Sequence, residues 1–236
     1  MAKDSFSICT FNCNGLGDYM KRKDVFDFLR KQKCNIFLLQ ETHWTSDSEN
    51  FIRSCWGYNC FVAGNSTNKN GVAIMLSNNF EYKVHNIVKD VQGCYLILDM
   101  EFLGERITLV NIYGPSDSDK PVFFLDVFGQ METIGNSYVI VGGDWNVILE
   151  PKLDARNYTS FTYRPRSRST IKEIIDTFEL IDVWREIFSD KRGYTWRRFN
   201  SVQQSRLDYF LVSDALLSEV NDVNIVPGYR SDHSIV

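Results

Sequence analysis

Six short stretches of this 236-residue chain carry polar side chains capable of phosphate or metal chemistry. Asn12 and Asn14 close FSICTFNCN, Glu41 closes NIFLLQE, and Asn111 and Tyr113 close RITLVNIYG. Asp144 and Asn146 follow in YVIVGGDWN, Asp208 in SRLDYFLVS, and Asp232 and His233 near the end of the chain. A carboxylate at the end of an apolar run is ordinarily a surface group. A run leading straight into Gln-Glu-Thr-His makes Glu41 a candidate ligand for Mg²⁺, which takes few protein carboxylates and keeps several waters. Asp144 and Asn146 form an i, i+2 pair, which on extended backbone points both side chains to one side. Such a pair could hold a water beside a phosphate oxygen; as an isolated segment GDWN would serve equally as an Asx turn. The two preceding glycines let backbone approach a substrate closely. His233 is one of three histidines. With Asp208 and Asp232 nearby it could form a carboxylate-oriented imidazole that stabilises charge on a pentacovalent phosphorane.

These groups can meet only if strand ends converge. The N-terminal half reads as strand after strand, each short, rich in β-forming residues and bounded by Asn, Gly or Pro. A helix is expected over Tyr19–Lys33, with Val25, Phe28, Leu29 and Gln32 at helical spacing. A second follows Pro121, with Val122, Leu125, Phe128 and Met131 as its stripe. A third spans Ser169–Leu180 on Ile171, Ile174, Ile175 and Phe178, and a short one covers Asp214–Val220. Many strands with few interspersed helices imply an α/β chain of two packed sheets with helices outside, and strand ends at one edge of a β-sandwich form a cleft among loops. No repeat, low-complexity tract or linker divides 1–236, so a single domain is expected. The abrupt end after Asp232-His233-Ser234 suggests a domain cut from a longer polypeptide.

An apolar content of 44% fits a packed core and argues against disorder. No apolar run nears the ~20 residues that span a bilayer, and the first dozen residues lack the apolar core of a secretory signal. The six cysteines lack C-x-x-C pairing, so zinc is not indicated and all six are expected as free thiols. The net charge of −4 hides an asymmetry. Residues 1–155 carry 14 Lys/Arg against 19 Asp/Glu, whereas 156–206 carry eleven against six. That basic stretch is a candidate phosphate contact or simply a solvated surface. Within it, WRRFNSVQQSRL reads as a hairpin with Arg197 and Arg198 near its tip.

The order FNCNGL, LLQETH, NIYGP, VGGDWN, YTW, SRLDYF, SDHS resembles the endonuclease/exonuclease/phosphatase superfamily across essentially the whole chain. LIDVWRE before GYTW, together with SRLDYFLVS, most resembles the N-terminal endonuclease domain of LINE-type retrotransposon polyproteins. The resemblance implies a four-layer sandwich, two mixed β-sheets flanked by helices. It implies that Glu41, Asn14 and Asp232 hold Mg²⁺ (Mn²⁺ as an alternative), and that Asp144, with Asn146, activates water. Tyr113 and Asn12 would bind the scissile phosphate, while His233, held by Asp208, contacts a non-bridging oxygen. Thr195, Ser231, Ser116 and the arginines Arg197, Arg198 and Arg206 would contact DNA. The implied reaction is a nick in double-stranded DNA leaving the 3′-hydroxyl that a reverse transcriptase extends. The implied partners are the reverse-transcriptase part of the same polyprotein and the element RNA. An isolated domain is expected to be monomeric, with no membrane partner, made in the cytoplasm and acting in the nucleus. One departure stands out: abasic-site members place asparagine where Ser116 stands, and a hydroxyl lacks the amide pair. Two other readings compete: a superfamily phosphodiesterase or phosphatase acting on abasic DNA or a lipid headgroup, and a binding domain without catalysis.

Overall fold

The computed structural model describes residues 5–67, 69–78, 80–158 and 164–236. Its central strands are buried on both faces, which is why they read as continuous apolar runs instead of alternating ones. β1 (Ile8–Asn12) lies parallel to β2 (Ile36–Gln40). With β3 (Cys60–Ala63) and β4 (Val72–Leu76) they form a sheet of order β1-β2-β4-β3. A second sheet comprises β5 (Lys83–Lys89), β6 (Tyr95–Phe102), β7 (Glu105–Tyr113), β8 (Val139–Asp144), β10 (Leu180–Asp182) and β13 (Asp208–Ser213). Its order is β10-β13-β8-β7-β6-β5, mixed because β7 and β8 run parallel. β9 (Ala155–Arg156), β11 (Trp196–Arg197) and β12 (Gln204–Ser205) make a small antiparallel sheet.

Side-chain alternation along each strand sorts residues into separate cores. Ile36 and Leu38 of β2 meet Leu96, Leu98, Leu109, Ile140 and Val212 between the sheets. Phe37 and Leu39 point the other way, onto Val25 and Leu29 of α1 (Tyr19–Gln32) and Ile52 and Trp56 of α2 (Glu49–Trp56). On the far side, Ile97, Val110, Val141 and Leu211 pack on α3 (Pro121–Glu132) and α5 (Pro165–Thr177). The result is the expected four layers of helix, sheet, sheet and helix. Shorter helices, α4 (Pro151–Asp154), α6 (Val183–Ile187) and α7 (Asp214–Leu217), punctuate the C-terminal half. Among the described residues no helix is long and apolar enough to cross a membrane, and all six cysteines are free.

Several expectations need correction. α3 buries Phe124, Val127, Phe128 and Met131, leaving Val122 and Leu125 exposed; a run as apolar as VFFLDVF supports more than one stripe. α5 starts at Pro165, not Ser169, because the Asp119 carboxylate accepts hydrogen bonds from the Arg166 and Ser167 amides and caps it there. It stops at Thr177, and Leu180 belongs to β10. α7 ends at Leu217, short of Val220. Arg206, expected on DNA, is 1% exposed. Its guanidinium pairs with both Asp154 oxygens (2.8 and 2.9 Å) and both Asp182 oxygens (3.0 and 2.6 Å), an ion cluster that Arg185 joins at Asp154.

This cluster ties the turn before β13 to α4 and to the N-cap of α6. A buried pair loses far more when one member is removed than the intact pair contributes, because the orphaned charge stays desolvated. Arg206→Met is therefore expected to cost about 3–5 kcal/mol in urea unfolding, while Arg198→Met, at an exposed hairpin position, changes the midpoint little.

Candidate active site

The layer between the sheets is apolar for most of its length and turns polar at one end. Tyr113, Asp144 and Asp208 lie in register there, neighbours across the adjacent strands β7, β8 and β13. Facing them from the first sheet are Asn12, paired in register with Gln40, and Glu41 one residue beyond. Gln40 spans the sheets by donating to the Asn111 side-chain oxygen (2.6 Å), and Asn111 donates to the Leu39 and Ala73 carbonyls. Asn111 is thus a brace behind the site.

Alternation explains how GDWN works. Trp145 drops into the outer core, stacked on Tyr209 with ring centroids 4.9 Å apart, so Asp144 and Asn146 turn to the opposite side. The Trp145 indole donates to the Tyr209 carbonyl (3.0 Å), locking the β8 end to the residue after Asp208. The glycines approach protein, not substrate: a Cβ on Gly143 would lie 2.0 Å from the Ile112 oxygen, and one on Gly142 would strike the Phe210 ring. Asn14, Glu41 and Asn146 all hold φ near +50°. Asparagine tolerates this; for Glu41 it stores about 1–2 kcal/mol of strain, a feature concentrated at functional sites.

Asn12 is the central tether. Fully buried, its amide nitrogen donates to Glu41 Oε1 and to Asp144 Oδ2, both at 2.9 Å, and its oxygen accepts from the Asn14 amide. Both N–H groups are spent on carboxylates, so Asn12 positions the site and does not bind phosphate as expected. Asp144 Oδ1 accepts from the Asn146 amide at 2.9 Å, and the Asn146 side chain donates to the Gly114 carbonyl. His233 Nδ1 lies 2.8 Å from Asp208 Oδ2, and its Nε2 lies 3.9 Å from Asp144 Oδ2. Asp232 accepts from the Trp196 indole (2.8 Å) and from Asn14 (3.3 Å).

Other expected contacts resolve differently. Thr195 is 1% exposed, and its hydroxyl oxygen accepts from the Leu207 and Asp208 amides (3.0 Å each), so it supports Asp208 and cannot reach DNA. The Ser231 hydroxyl is likewise occupied, donating to the Asn12 carbonyl and accepting from the His233 amide. Arg197 and Arg198 are exposed on the expected hairpin, with Phe199 at 85% exposure beyond them. Ser116 lines the cavity.

That cavity, about 490 Å³, is bordered by Asn14, Glu41, Tyr113, Asp144, Asp232 and His233. Burial, then the charge of Asp208, pushes Asp144 up to about 7, with His233 and Asn12 opposing. Burial alone would lower His233, but Asp208 and Asp144 outweigh it and hold the imidazolium up to about 10. Burial and then Glu41 raise Tyr113, which therefore remains a neutral phenol donor. Near neutrality the site presents a carboxylate able to take a proton beside a fixed imidazolium. Asp144, Asp208 and His233 are close enough for a shared cation, their ligand atoms all within 4.8 Å of one another. Asp208 and His233 are already hydrogen-bonded to each other, however, and the oxygens of Glu41, Asn14 and Asp232 on the cavity wall suit a hard cation better.

The Endonuclease/Exonuclease/phosphatase family pattern matches residues 9–233, from the first strand to this histidine. The chain belongs to that family. It is similar to the "Transposon TX1 uncharacterized 149 kDa protein" of Xenopus laevis, 31% identical over 98% of this chain and 18% of that protein. The chain thus spans under a fifth of the length of that relative. The exodeoxyribonuclease of Bacillus subtilis (strain 168) is 23% identical over 96% of each chain. Among solved structures, the AP endonuclease LMAP from Leishmania major superposes with a TM-score of 0.79 at 20% identity, covering 98% of this chain and 86% of that one. Two mixed sheets flanked by helices are the shared fold.

Sequence pattern alone did not single out Lys21, Arg164 or Trp196. The Trp196 indole orients Asp232, and the Lys21 ammonium donates to the Asn14 carbonyl (2.6 Å). Trp196 lies in the YTW motif beside Thr195, and alternation there could have assigned one residue inward and the other toward the cleft.

Because His233 is raised in the folded chain above the free-imidazole value of ~6.5, its stabilising contribution is complete below that pH. It is lost as pH rises through about 10. Imidazole NMR is expected to show His233 protonated throughout neutral pH, and Asp208→Asn should lower its titration midpoint substantially. A midpoint near 6.5 in the intact protein would contradict the ion-pair assignment.

Proposed function

We propose that this chain is a divalent-metal-dependent endonuclease that nicks one strand of double-stranded DNA by phosphodiester hydrolysis. The observation carrying this reading is the close set of Asp144 and the Asp208–His233 pair at the wall of an open cavity rimmed by oxygen donors. Asp144, oriented by Asn12 and Asn146, accepts a proton from the attacking water. The water oxygen bonds to phosphorus as the bond to the 3′-oxygen breaks, leaving a 3′-hydroxyl and a 5′-phosphate. His233, still an imidazolium, places positive charge on a non-bridging oxygen, and the Tyr113 phenol donates a second hydrogen bond.

Glu41, Asn14 and Asp232 would hold Mg²⁺, with Mn²⁺ as a substitute. Their donors are hard oxygens, and Glu41 retains 25% side-chain exposure on the cavity they line. When bound, the cation supplies charge neutralisation for the phosphate and the departing oxygen.

The likeness to a transposon protein over nearly the whole chain supports a role in retrotransposition. In that role the domain, a monomer by itself, nicks nuclear target DNA within a larger polyprotein. The exposed 3′-hydroxyl then primes copying of the element RNA by the reverse-transcriptase portion.

Incubating supercoiled plasmid with Mg²⁺ or with EDTA tests the class directly. Open circles are expected only with the metal, their nicks extendable by a polymerase without end repair. Asp144→Ala and His233→Ala should each lower the nicking rate by ~10²–10⁴ while DNA binding persists. Unchanged nicking in both variants would remove the proposed mechanism.

A further inference from the structure

Three carboxylates line the cavity, Glu41, Asp144 and Asp232, and two cationic side chains oppose them: His233 and Arg164. Arg164 has no part in the chemistry described above, yet its setting is unusual for a surface arginine. Its guanidinium donates to the Ser116 carbonyl. Among the described residues it forms no ion pair, although it stands near Asp144, Asp117 and Asp119. Burial lowers its pKa, the signature of a cation held partly out of water, with those three acids opposing at longer range. A guanidinium stays charged under such conditions, and among the described residues its N–H groups not donated to Ser116 remain available to an anion in the cavity.

The backbone fixes this placement. Arg164 sits at φ +45°, in the left-handed region, immediately before Pro165 opens α5. Asp119 accepts from the Arg166 amide (3.0 Å) and from the Ser167 amide (2.8 Å) and hydroxyl (2.6 Å). The Arg164 carbonyl accepts from the Arg168 amide (3.0 Å). Asp119 therefore satisfies the start of α5 and ties it to the loop carrying Ser116, which leaves the Arg164 side chain, not the helix terminus, as the anion-facing element. Ser116 brings one hydroxyl to this wall; Arg164 alongside it brings a charged, planar set of donors.

The geometry points to Arg164 as a substrate-binding residue whose guanidinium contacts a phosphodiester oxygen of DNA seated in the cavity. This assignment rests on the DNA-nicking reading above. It gives that reading a permanent cation on the cavity wall, independent of any bound metal and of the protonation of His233.

The test measures binding, without cleavage, of a fluorescent duplex of about 16 base pairs in EDTA over roughly 50–200 mM salt. Wild type is compared with Arg164→Asn and Arg164→Lys; asparagine is chosen because it tolerates left-handed backbone. Losing one phosphate contact should weaken Arg164→Asn about tenfold at low salt and make its log–log salt slope shallower by about 0.9. Arg164→Lys should keep the wild-type slope. Melting curves control for folding, and if the asparagine variant melts well below wild type, Arg164→Gln takes its place as the neutral variant and is held to the same loss of affinity and slope. Wild-type affinity and slope in Arg164→Asn, or a slope in Arg164→Lys as shallow as in a neutral variant, would overturn the assignment. A wild-type protein that neither binds duplex nor nicks plasmid would fail differently, removing the DNA reading and this inference together.

Discussion

Asp144 and Asp208 are buried side by side with half-buried Glu41 tethered close to Asp144, and the rest of the structure depends on how the repulsion among these acids is contained. Two unit charges 4 Å apart interact by about 4 kcal/mol even at an effective dielectric of 20, so such a cluster would fly apart or protonate without compensation. Asn12 divides its amide between Glu41 and Asp144, joining the two sheets through one side chain. The His233 imidazolium sits against Asp208 and within reach of Asp144. Burial, with the residual repulsion of Asp208, leaves Asp144 raised, which turns an ordinary carboxylate into an effective base near neutrality.

Holding that arrangement requires rigidity behind it. The Trp145–Tyr209 stack fixes adjacent strand ends, Thr195 anchors the Asp208 amide, and the Gln40–Asn111 bridge keeps the sheets at a constant separation. Arg206 and Arg185 belong to the same scaffold. Both come from the basic stretch 156–206, so its excess charge is not all available to a polyanion: part neutralises Asp154 and Asp182 inside the protein. Arg197 and Arg198 remain outward, on a hairpin whose strands continue into the small sheet with β9.

Strands buried on both faces were legible in the sequence as unbroken apolar runs, and the polar residues ending them marked the site's chemistry. What escaped were elements whose signal is weak by construction. β5, KVHNIVK, is an exposed edge strand with lysines at both ends, a composition that discourages edge pairing but also hides the strand. α2 shows only Ile52 and Trp56 as its buried stripe, and β9, which joins the expected hairpin, is two residues long. Among site residues, chemical type was readable and burial was not. Arg206, Thr195 and Asn12 carry groups suited to binding DNA, yet each spends them on the protein's own charges or amides. Nothing in a linear pattern separates an arginine facing phosphate from one facing Asp154; that depends on which strand turns inward.

The same distinction explains how a chain of net charge −4 can present a site for a polyanion. Salt screens the field of the total charge beyond the Debye length of ~8 Å, so within the cavity the groups on its wall decide. In the proposed role the acids there would bind a cation or take a proton, and both roles require them to be close and partly desolvated. Desolvation strengthens whatever positive charge remains nearby, so His233 and Arg164 count for more inside the cavity than lysines scattered on the surface. Moving either to a solvated position would preserve the protein's net charge and still remove from the cavity wall the positive charge that the proposed role requires.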